Sequence, residues 1–310
     1  MKKFSIISTC FNEELNIRDC YNEVKKIFKN KNLEYEHIFS DNNSSDSSVK
    51  IIKEICVKDK NVKLLRNAKN YGPFLNNFNA LCSTSGDYIV VNYACDMQDP
   101  PDVLEKMIDT IQEGCDCVYG VKNDSNENFI LKFIRKTYYF MVNNLSGKNV
   151  ILENSNEFLC VNRSVLNEII SNYDYFPYIR GYISKITDNY KTVKFVREKR
   201  KKGKSKNSIF DLFKQGINGL ISTMENIIYL STIIFFSLSL ILLLFAIYTF
   251  FLKIFIPNSA PQGIATLVLI TSIGFSFAML MLSLILQYLI AIHNQVRFKF
   301  KVRVIEKINF

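Results

Sequence analysis

The chain contains no tryptophan, only two histidines (His37 and His293) and no C-x-x-C pair among its eight cysteines. Zinc sites draw on closely spaced cysteines and histidines, so a zinc centre is disfavoured. The cysteines at 10, 20, 56, 82, 95, 115, 117 and 160 are scattered, as free thiols of a reducing cytosol are. No internal repeat or low-complexity segment is visible. Charge is missing from Asn226 to Leu252 and again from Ile254 to Val296. About 20 apolar residues let a helix cross a bilayer, and a buried soluble hairpin would rarely run so far uncharged. Lys253 and the turn Pro257–Gly263 separate the tracts, which predicts two transmembrane helices at about 227–252 and 264–292.

Acidic residues are the scarcer charge, 29 against 39 Lys and Arg, for a net charge of +10. Between Lys194 and Lys206 lie eight Lys or Arg against Glu198, and Arg297, Lys299, Lys301, Arg303 and Lys307 follow the second tract. Cationic flanks stay on the cytoplasmic side, so both ends should be cytosolic and the turn should face out. This predicts a multi-pass protein of the cell inner (plasma) membrane with the domain that precedes the spans in the cytosol. The basic residues concentrate beside the spans and few aromatics interleave with them, so the expected partner is the lipid bilayer and not nucleic acid. Homo-oligomerisation is left open. The apolar run after Met1-Lys2-Lys3 is too short for a leader and reads as a first strand.

Residues 4–120 alternate strand and helix patterns. Strands are expected at Phe4–Ser8, Tyr35–Ser40, Val62–Leu65, Gly86–Asn92 and Cys117–Gly120. Helices are expected at Glu13–Asn30, Ser47–Lys58, Phe74–Ser83 and Val103–Gly114. Such a βαβ series implies an α/β fold, a mostly parallel sheet covered on both faces. Beyond it, Phe129–Leu145 reads as a helix, Phe158–Asn162 as a short apolar segment, Asp174–Gly181 as a loop and Lys191–Arg197 as an edge strand. An apolar stripe from Ile209 to Ile221 predicts an amphipathic helix in the membrane interface, an ordinary core-facing helix being the alternative. The tail Arg297–Val304 alternates like a strand. The expected division is an α/β domain at 1–206, an interfacial helix at 207–225, the hairpin at 226–292 and a basic cytosolic tail at 293–310.

The segment Tyr93–Pro101 (YACDMQDPP) carries the clearest chemistry. It follows the buried-strand pattern Tyr88–Val91, and acidic residues at a strand's carboxyl end stand where open α/β sheets bind ligands. Asp96, Gln98 and Asp99 offer hard oxygen ligands suited to Mg²⁺ or Mn²⁺ bridging a diphosphate. An isolated D-x-x-D is also compatible with a solvated acidic turn.

Five segments occur in one order: FSIISTCFNEE (4–14), FSDNNSSD (39–46), NYG (70–72), GDYIVVNYACDMQDPP (86–101) and RKKGKSK (200–206). In that order they resemble the family 2 glycosyltransferases of the polyprenyl-phosphate type, the dolichol-phosphate mannose synthases and bactoprenol glucosyltransferases. The resemblance covers about residues 4–206, and the hairpin fits its bacterial branch.

The resemblance implies a GT-A-like catalytic domain, a nucleotide-diphosphate sugar as donor, a divalent metal (Mg²⁺ or Mn²⁺) and a polyprenyl (undecaprenyl) phosphate as acceptor. The implied reaction is inverting transfer of a single sugar at the cytosolic membrane face. Thr9, Phe11, Glu13, Asp41 and Asp96 take the nucleotide-binding positions, though Asp41 could instead cap a turn. Asp96 and Gln98 match the metal pattern D-x-D-x-Q, from which the chain departs at Ala94. Lys122, Lys132, Arg135 and Arg200 lie where acceptor-phosphate cations are expected, each with plain surface charge as the alternative. Asp96, Glu157 and Arg200 are the expected catalytic residues; Glu157 replaces an Asp of the segment G-D-F-R-L, and Leu159 replaces its Arg. The missing tryptophan removes the Q-x-x-R-W motif of processive synthases. The remaining alternatives are a transferase acting on another lipid-linked glycan and a non-catalytic membrane scaffold.

Overall fold

A computed structural model describes residues 2–123, 152, 154–172, 179–198, 200, 202, 225–256, 263–295 and 302–310. Its eight strands are β1 (Phe4–Cys10), β2 (Tyr35–Asp41), β3 (Val62–Asn67), β4 (Tyr88–Val90), β5 (Cys117–Lys122), β6 (Ser155–Asn162), β7 (Tyr190–Phe195) and β8 (Val304–Ile308). They form one sheet in the order β7-β5-β6-β4-β1-β2-β3-β8. β6 pairs antiparallel with β4 and β5, and β8 antiparallel with β3, while the other pairings are parallel. The sheet is therefore mixed and mostly parallel, with the carboxyl ends of β1, β2, β3, β4 and β5 along one edge.

Strand side chains alternate between faces, and both faces are apolar. Phe4, Ile6, Phe39, Leu64, Val90, Val118 and Phe158 share one core with α1 (Ile17–Lys31), α2 (Ser48–Lys58) and α4 (Pro101–Gln112). Ile7, Ile38, Leu65, Ile89, Tyr119 and Leu159 face the other, under α3 (Pro73–Leu81), α5 (Arg163–Asn172) and α6 (Ile179–Ile186). Gly120 sits where the two layers squeeze the sheet: a Cβ there would come within 2.7 Å of the Phe158 carbonyl oxygen and 2.9 Å of Met107 Cε.

Two local readings are corrected. The segment read as a loop to Gly181 turns helical at Ile179, because Ile179 and Ile183 fall one helical turn apart and are buried. The tail strand lies at Val304–Ile308, later than Arg297–Val304, since pairing with β3 places it (Leu64 opposite Ile308, Asn67 opposite Val304). The chain end is thus a sheet strand, fastened by Lys53 to Glu306 at 2.5 Å and by Asn309 Nδ2 donating to the carbonyls of Cys56 and Val62. The expected helices at Phe129–Leu145 and Ile209–Ile221 lie outside the described residues. All eight cysteines are free thiols, and seven of them are buried.

A second compact unit contains α7 (Glu225–Phe255) and α8 (Ile264–Gln295). Both are long and apolar enough to cross a membrane, and only 11% and 17% of their most apolar windows are buried. A soluble core hairpin would show the reverse. The helices run antiparallel and meet through reciprocal bonds: Ser239 Oγ donates to the Ser276 carbonyl at 2.9 Å and Ser276 Oγ to the Ser239 carbonyl at 2.8 Å. Gln287 Nε2 donates to Thr232 Oγ1 at 2.9 Å. Small polar side chains of this kind let apolar helices approach and satisfy one another where water is absent.

Candidate active site

The ends of β1 and β2 are neighbours, Cys10 standing opposite Asp41, and this brings Thr9, Phe11, Glu13 and Asp41 to one stretch of the sheet edge. The two loops that follow are laced together. Asn12, at φ 55°, accepts the Ser45 N–H at 2.8 Å on Oδ1, its own N–H donates to Ser44 Oγ at 2.8 Å, and the Glu13 N–H donates to Ser48 Oγ at 2.8 Å. Thr9 Oγ1 donates to Asn92 Oδ1 at 3.1 Å, fastening β1 to the loop after β4.

Asp41 is buried and accepts the Ser44 N–H on both oxygens, at 3.1 and 3.3 Å. It therefore closes the turn that the alternative reading assigned to it. Burial raises its carboxyl above the usual range, against the Ser44 bonds and Arg66. Arg66 Nε lies 4.0 Å from Asp41 Oδ2, is sealed from solvent and has no hydrogen-bond partner among the described residues. Ser44 and Arg66 also line an open cleft of about 650 Å³ beside α2. Behind it Asn42, Asn67 and Asn76 form a side-chain relay: Asn67 Nδ2 donates to Asn76 Oδ1 at 2.7 Å, and the Tyr71 N–H donates to Asn42 Oδ1 at 3.0 Å. The relay holds the Asn70-Tyr71-Gly72 segment against β2 and β3.

After β4 the chain turns from Ala94 to Met97, the Met97 N–H donating to the Ala94 carbonyl, with Met97 at φ 57°. A non-glycine residue at positive φ is uncommon and tends to mark functional turns. Tyr93 and Cys95 point into the core while Ala94 and Asp96 are partly exposed. The position where a first acidic residue would stand is thus open to solvent, as Asp96 is. Asp96 Oδ1 takes the Gln98 N–H at 3.2 Å. Gln98 Nε2 donates to the Glu198 carbonyl at 3.4 Å, which leaves its Oε1 as the available acceptor. Asp99, grouped above with the outward ligands, is turned inward: it is 3% exposed and accepts from Asn156 Nδ2 at 3.4 Å. Burial pushes its carboxyl up to about 6, against the attraction of Arg197 and Lys122.

Among the described residues no three His, Cys, Asp or Glu side chains are grouped to hold a metal ion. A Mg²⁺-type site does not need three, because such ions are commonly held by one or two carboxylates with substrate phosphates and water filling the octahedron. Asp96 Oδ2 and Gln98 Oε1 fit that partial donor set.

The segment after β7 crosses to these loops. The Glu198 N–H donates to the Gln98 carbonyl at 2.9 Å, and Lys202 Nζ reaches Asp19 at 2.7 Å. Arg200 grips both oxygens of Glu13 and donates Nε to the Lys202 carbonyl at 2.9 Å. Arg200 and Glu13, assigned above to different substrates, are one largely buried ion pair, their side chains 15% and 14% exposed. Lys122 ends β5 and lies in the field of Asp99. Glu157 on β6 accepts from Arg180 Nε at 3.1 Å. Lys132 and Arg135 lie outside the described residues. Arg66, Arg180 and the asparagine relay were not singled out from the sequence; only the grouping of asparagines at 42, 67, 70 and 76 signalled the last.

An edge of parallel strands that gathers a latched pair of loops, an acidic turn and a strapped-down arginine is the frame of a GT-A-like transferase. The chain belongs to glycosyl transferase family 2, whose pattern matches residues 5–173. It is 25% identical over 296 residues to the uncharacterized glycosyltransferase YkcC of Bacillus subtilis, covering 95% of this chain and 91% of that one. It is 28% identical over 220 residues to the bactoprenol glucosyl transferase of Shigella phage SfX, covering 71% and 72%. Among solved structures it resembles glucosyl-3-phosphoglycerate synthase of Mycobacterium tuberculosis in complex with Mn²⁺, UDP and phosphoglyceric acid. That match has a TM-score of 0.52 at 14% identity over 73% of this chain and 78% of that one, and it bears on the fold.

Proposed function

We propose that this transferase moves one sugar, with inversion, from a nucleotide-diphosphate sugar to a polyprenyl phosphate at the cytosolic face of the plasma membrane. The observation that carries the reading is the conjunction of a family 2 domain with two largely unburied apolar helices. The bactoprenol transferase among its relatives supports a lipid acceptor. The likeness to a structure holding Mn²⁺ and UDP supports a divalent ion and a nucleotide donor.

In this reading Thr9, Phe11, Glu13 and Asp41 form the nucleotide seat. Asp96 and Gln98 hold Mg²⁺ or Mn²⁺, which when bound offsets charge on the departing diphosphate. The acceptor phosphate is already an anion near neutral pH and needs no strong base. The chain's task is to bring two like-charged groups together, and Lys122, Lys132, Arg135 and Arg200 supply the offsetting charge. In the same reading residues 1–206 with the returning strand β8 make up the catalytic domain, and 226–292 the hairpin. The test is incubation of membranes carrying the protein with a panel of nucleotide sugars and undecaprenyl phosphate. Mass spectrometry should find one mass increment on the lipid; absence of any lipid product would reject the reading.

Two predictions belong here. Arg200→Ala should weaken use of the lipid phosphate more than nucleotide-sugar binding, and Arg200→Lys should recover part of the loss, because a point charge lacks the guanidinium fork. Equal loss of both would place Arg200, with Glu13, in the diphosphate clamp. A cysteine placed at Asn258 or Ser259 should be labelled only from outside the cell and one placed at Phe310 only from the cytosol; the opposite pattern would move the active site to the other compartment.

A further inference from the structure

Between the nucleotide end of the site and its acidic turn stands Asn92, whose amide is only half engaged. Its backbone is held on both sides: the Val91 N–H donates to the Leu159 carbonyl and the Tyr93 N–H to the Ile7 carbonyl, each at 2.8 Å. Val91 and Tyr93 are 0% exposed, whereas Asn92 is partly exposed, as Ala94 and Asp96 are. Thr9 Oγ1 donates to Asn92 Oδ1 at 3.1 Å, which occupies the amide oxygen and sets the plane of the amide. The other end, Nδ2, has no hydrogen-bond partner among the described residues and is open to solvent. Asn92 thus presents a donor just ahead of a turn whose Asp96 and Gln98 Oε1 present acceptors.

We propose that Asn92 Nδ2 donates to the diphosphate of the bound nucleotide sugar, so that part of the hold on that group comes from the chain and not from the divalent ion. The inference rests on the transfer reading above and adds a residue to its donor side. The diphosphate joins a nucleoside seated beside Thr9 to the ion at Asp96, and Asn92 is bonded to the first and lies four residues before the second. Phosphate oxygens are acceptors, so an amide N–H gains a charge-assisted bond from them, while a carboxylate in its place would repel them. Ala94 acts in the same direction, because without a carboxylate there the diphosphate meets one negative charge fewer. A ribose hydroxyl would give Nδ2 only a neutral bond, about half as strong, so the phosphate is the better-matched ligand.

The experiment titrates the full chain, purified in detergent, with UDP, GDP, CDP, ADP and dTDP in a calorimeter, first in EDTA and then with Mn²⁺. The diphosphate that binds, and its free nucleoside used as a competitor, then serve for the variants. Asn92→Ala should weaken the diphosphate about 10-fold or more, the usual scale for a bond to a charged group, and leave the nucleoside unchanged. Asn92→Asp keeps an acceptor for Thr9 but replaces the outward donor with charge. It should lose more than Asn92→Ala in EDTA and recover more than the wild type when Mn²⁺ is added. Thr9→Val should weaken the diphosphate, Thr9→Ser should restore it, and the Thr9→Val loss should shrink in an Asn92→Ala background, because Thr9 acts there through the amide. Wild-type diphosphate affinity in both Asn92 variants would overturn the inference and leave the transfer reading standing. Equal loss of nucleoside and diphosphate would overturn it too, since the amide would then meet the ribose or the base. If the wild type binds none of the diphosphates even with Mn²⁺, the transfer reading itself fails and the inference falls with it.

Discussion

Asp96→Ala is expected to lower sugar transfer by about 10²-fold or more, the usual scale when a group that stabilises developing charge is removed. The substitution leaves the Ala94–Met97 turn its backbone bond and removes a partly exposed carboxylate with its one 3.2 Å bond from the Gln98 N–H, so the unfolding midpoint should fall only slightly below that of the wild type. Turnover in labelled-sugar transfer, measured beside a thermal melt, checks both halves. Wild-type turnover would remove Asp96 from the metal and diphosphate site. The companion variant is Ala94→Asp. Ala94 is partly exposed two residues before Asp96, so a carboxylate there should lower the Mn²⁺ concentration needed for half-maximal rate. An unchanged Mn²⁺ titration would mean that another group already fills the place.

The second large effect is on stability, at the opposite edge of the sheet. Glu36 on β2 is 1% exposed and carries Lys63 at 2.7 Å and Lys3 at 3.2 Å, with bonds from Ser5 Oγ at 2.6 Å and from the Ser85 N–H and hydroxyl. Burial alone would favour the neutral acid; the bonds from Lys63, Ser5 and Ser85 outweigh it and hold the carboxyl down at about 2. Glu36→Ala strands a lysine that is 13% exposed, and losing one member of a buried pair costs roughly 3–5 kcal/mol. Denaturation of the detergent-solubilised protein should show a loss of that size. The sign with pH follows from the lowered pKa: the stabilisation is complete above the unfolded-state value of about 4.3 and is lost as pH falls toward 2. Glu36→Gln should therefore flatten the acid side of the stability curve. A variant that kept the wild-type acid limb would show that Glu36 does not carry it.

The parallel core was legible because β1, β2 and β4 are short runs built on apolar residues (Phe4, Ile6 and Ile7; Ile38 and Phe39; Tyr88, Ile89 and Val90) set off by turn residues, and α1 and α4 keep helical spacing. The gathering of Thr9, Glu13 and Asp41 at one stretch of the sheet edge was legible too, since they close or follow neighbouring strands once the βαβ order is known. What escaped depends on contacts distant in sequence. Arg180 and Glu157 are 23 residues apart, and Arg200 and Glu13 are 187 apart; neither pairing leaves a local pattern. Asp99 misleads for another reason: within a run of acidic and polar residues it looks like one more outward ligand, and only packing against Asn156 turns it in. The alternation in the tail was visible, but its register is set by β3, more than 230 residues earlier.

That last pairing governs how the domain can be completed during synthesis. The chain leaves the sheet after β7, one edge strand, and returns as β8 at the other edge only after both apolar helices have been made. Until then the outer edge of β3 presents unpaired N–H and C=O groups, an open template for any passing strand. Synthesis of both apolar helices thus comes before closure of the sheet, and a chain interrupted between α8 and β8 keeps a sticky edge. Under the topology proposed above, slow or failed insertion of the two helices would accordingly show itself as aggregation of the catalytic domain, a fault of one part of the chain expressed in another.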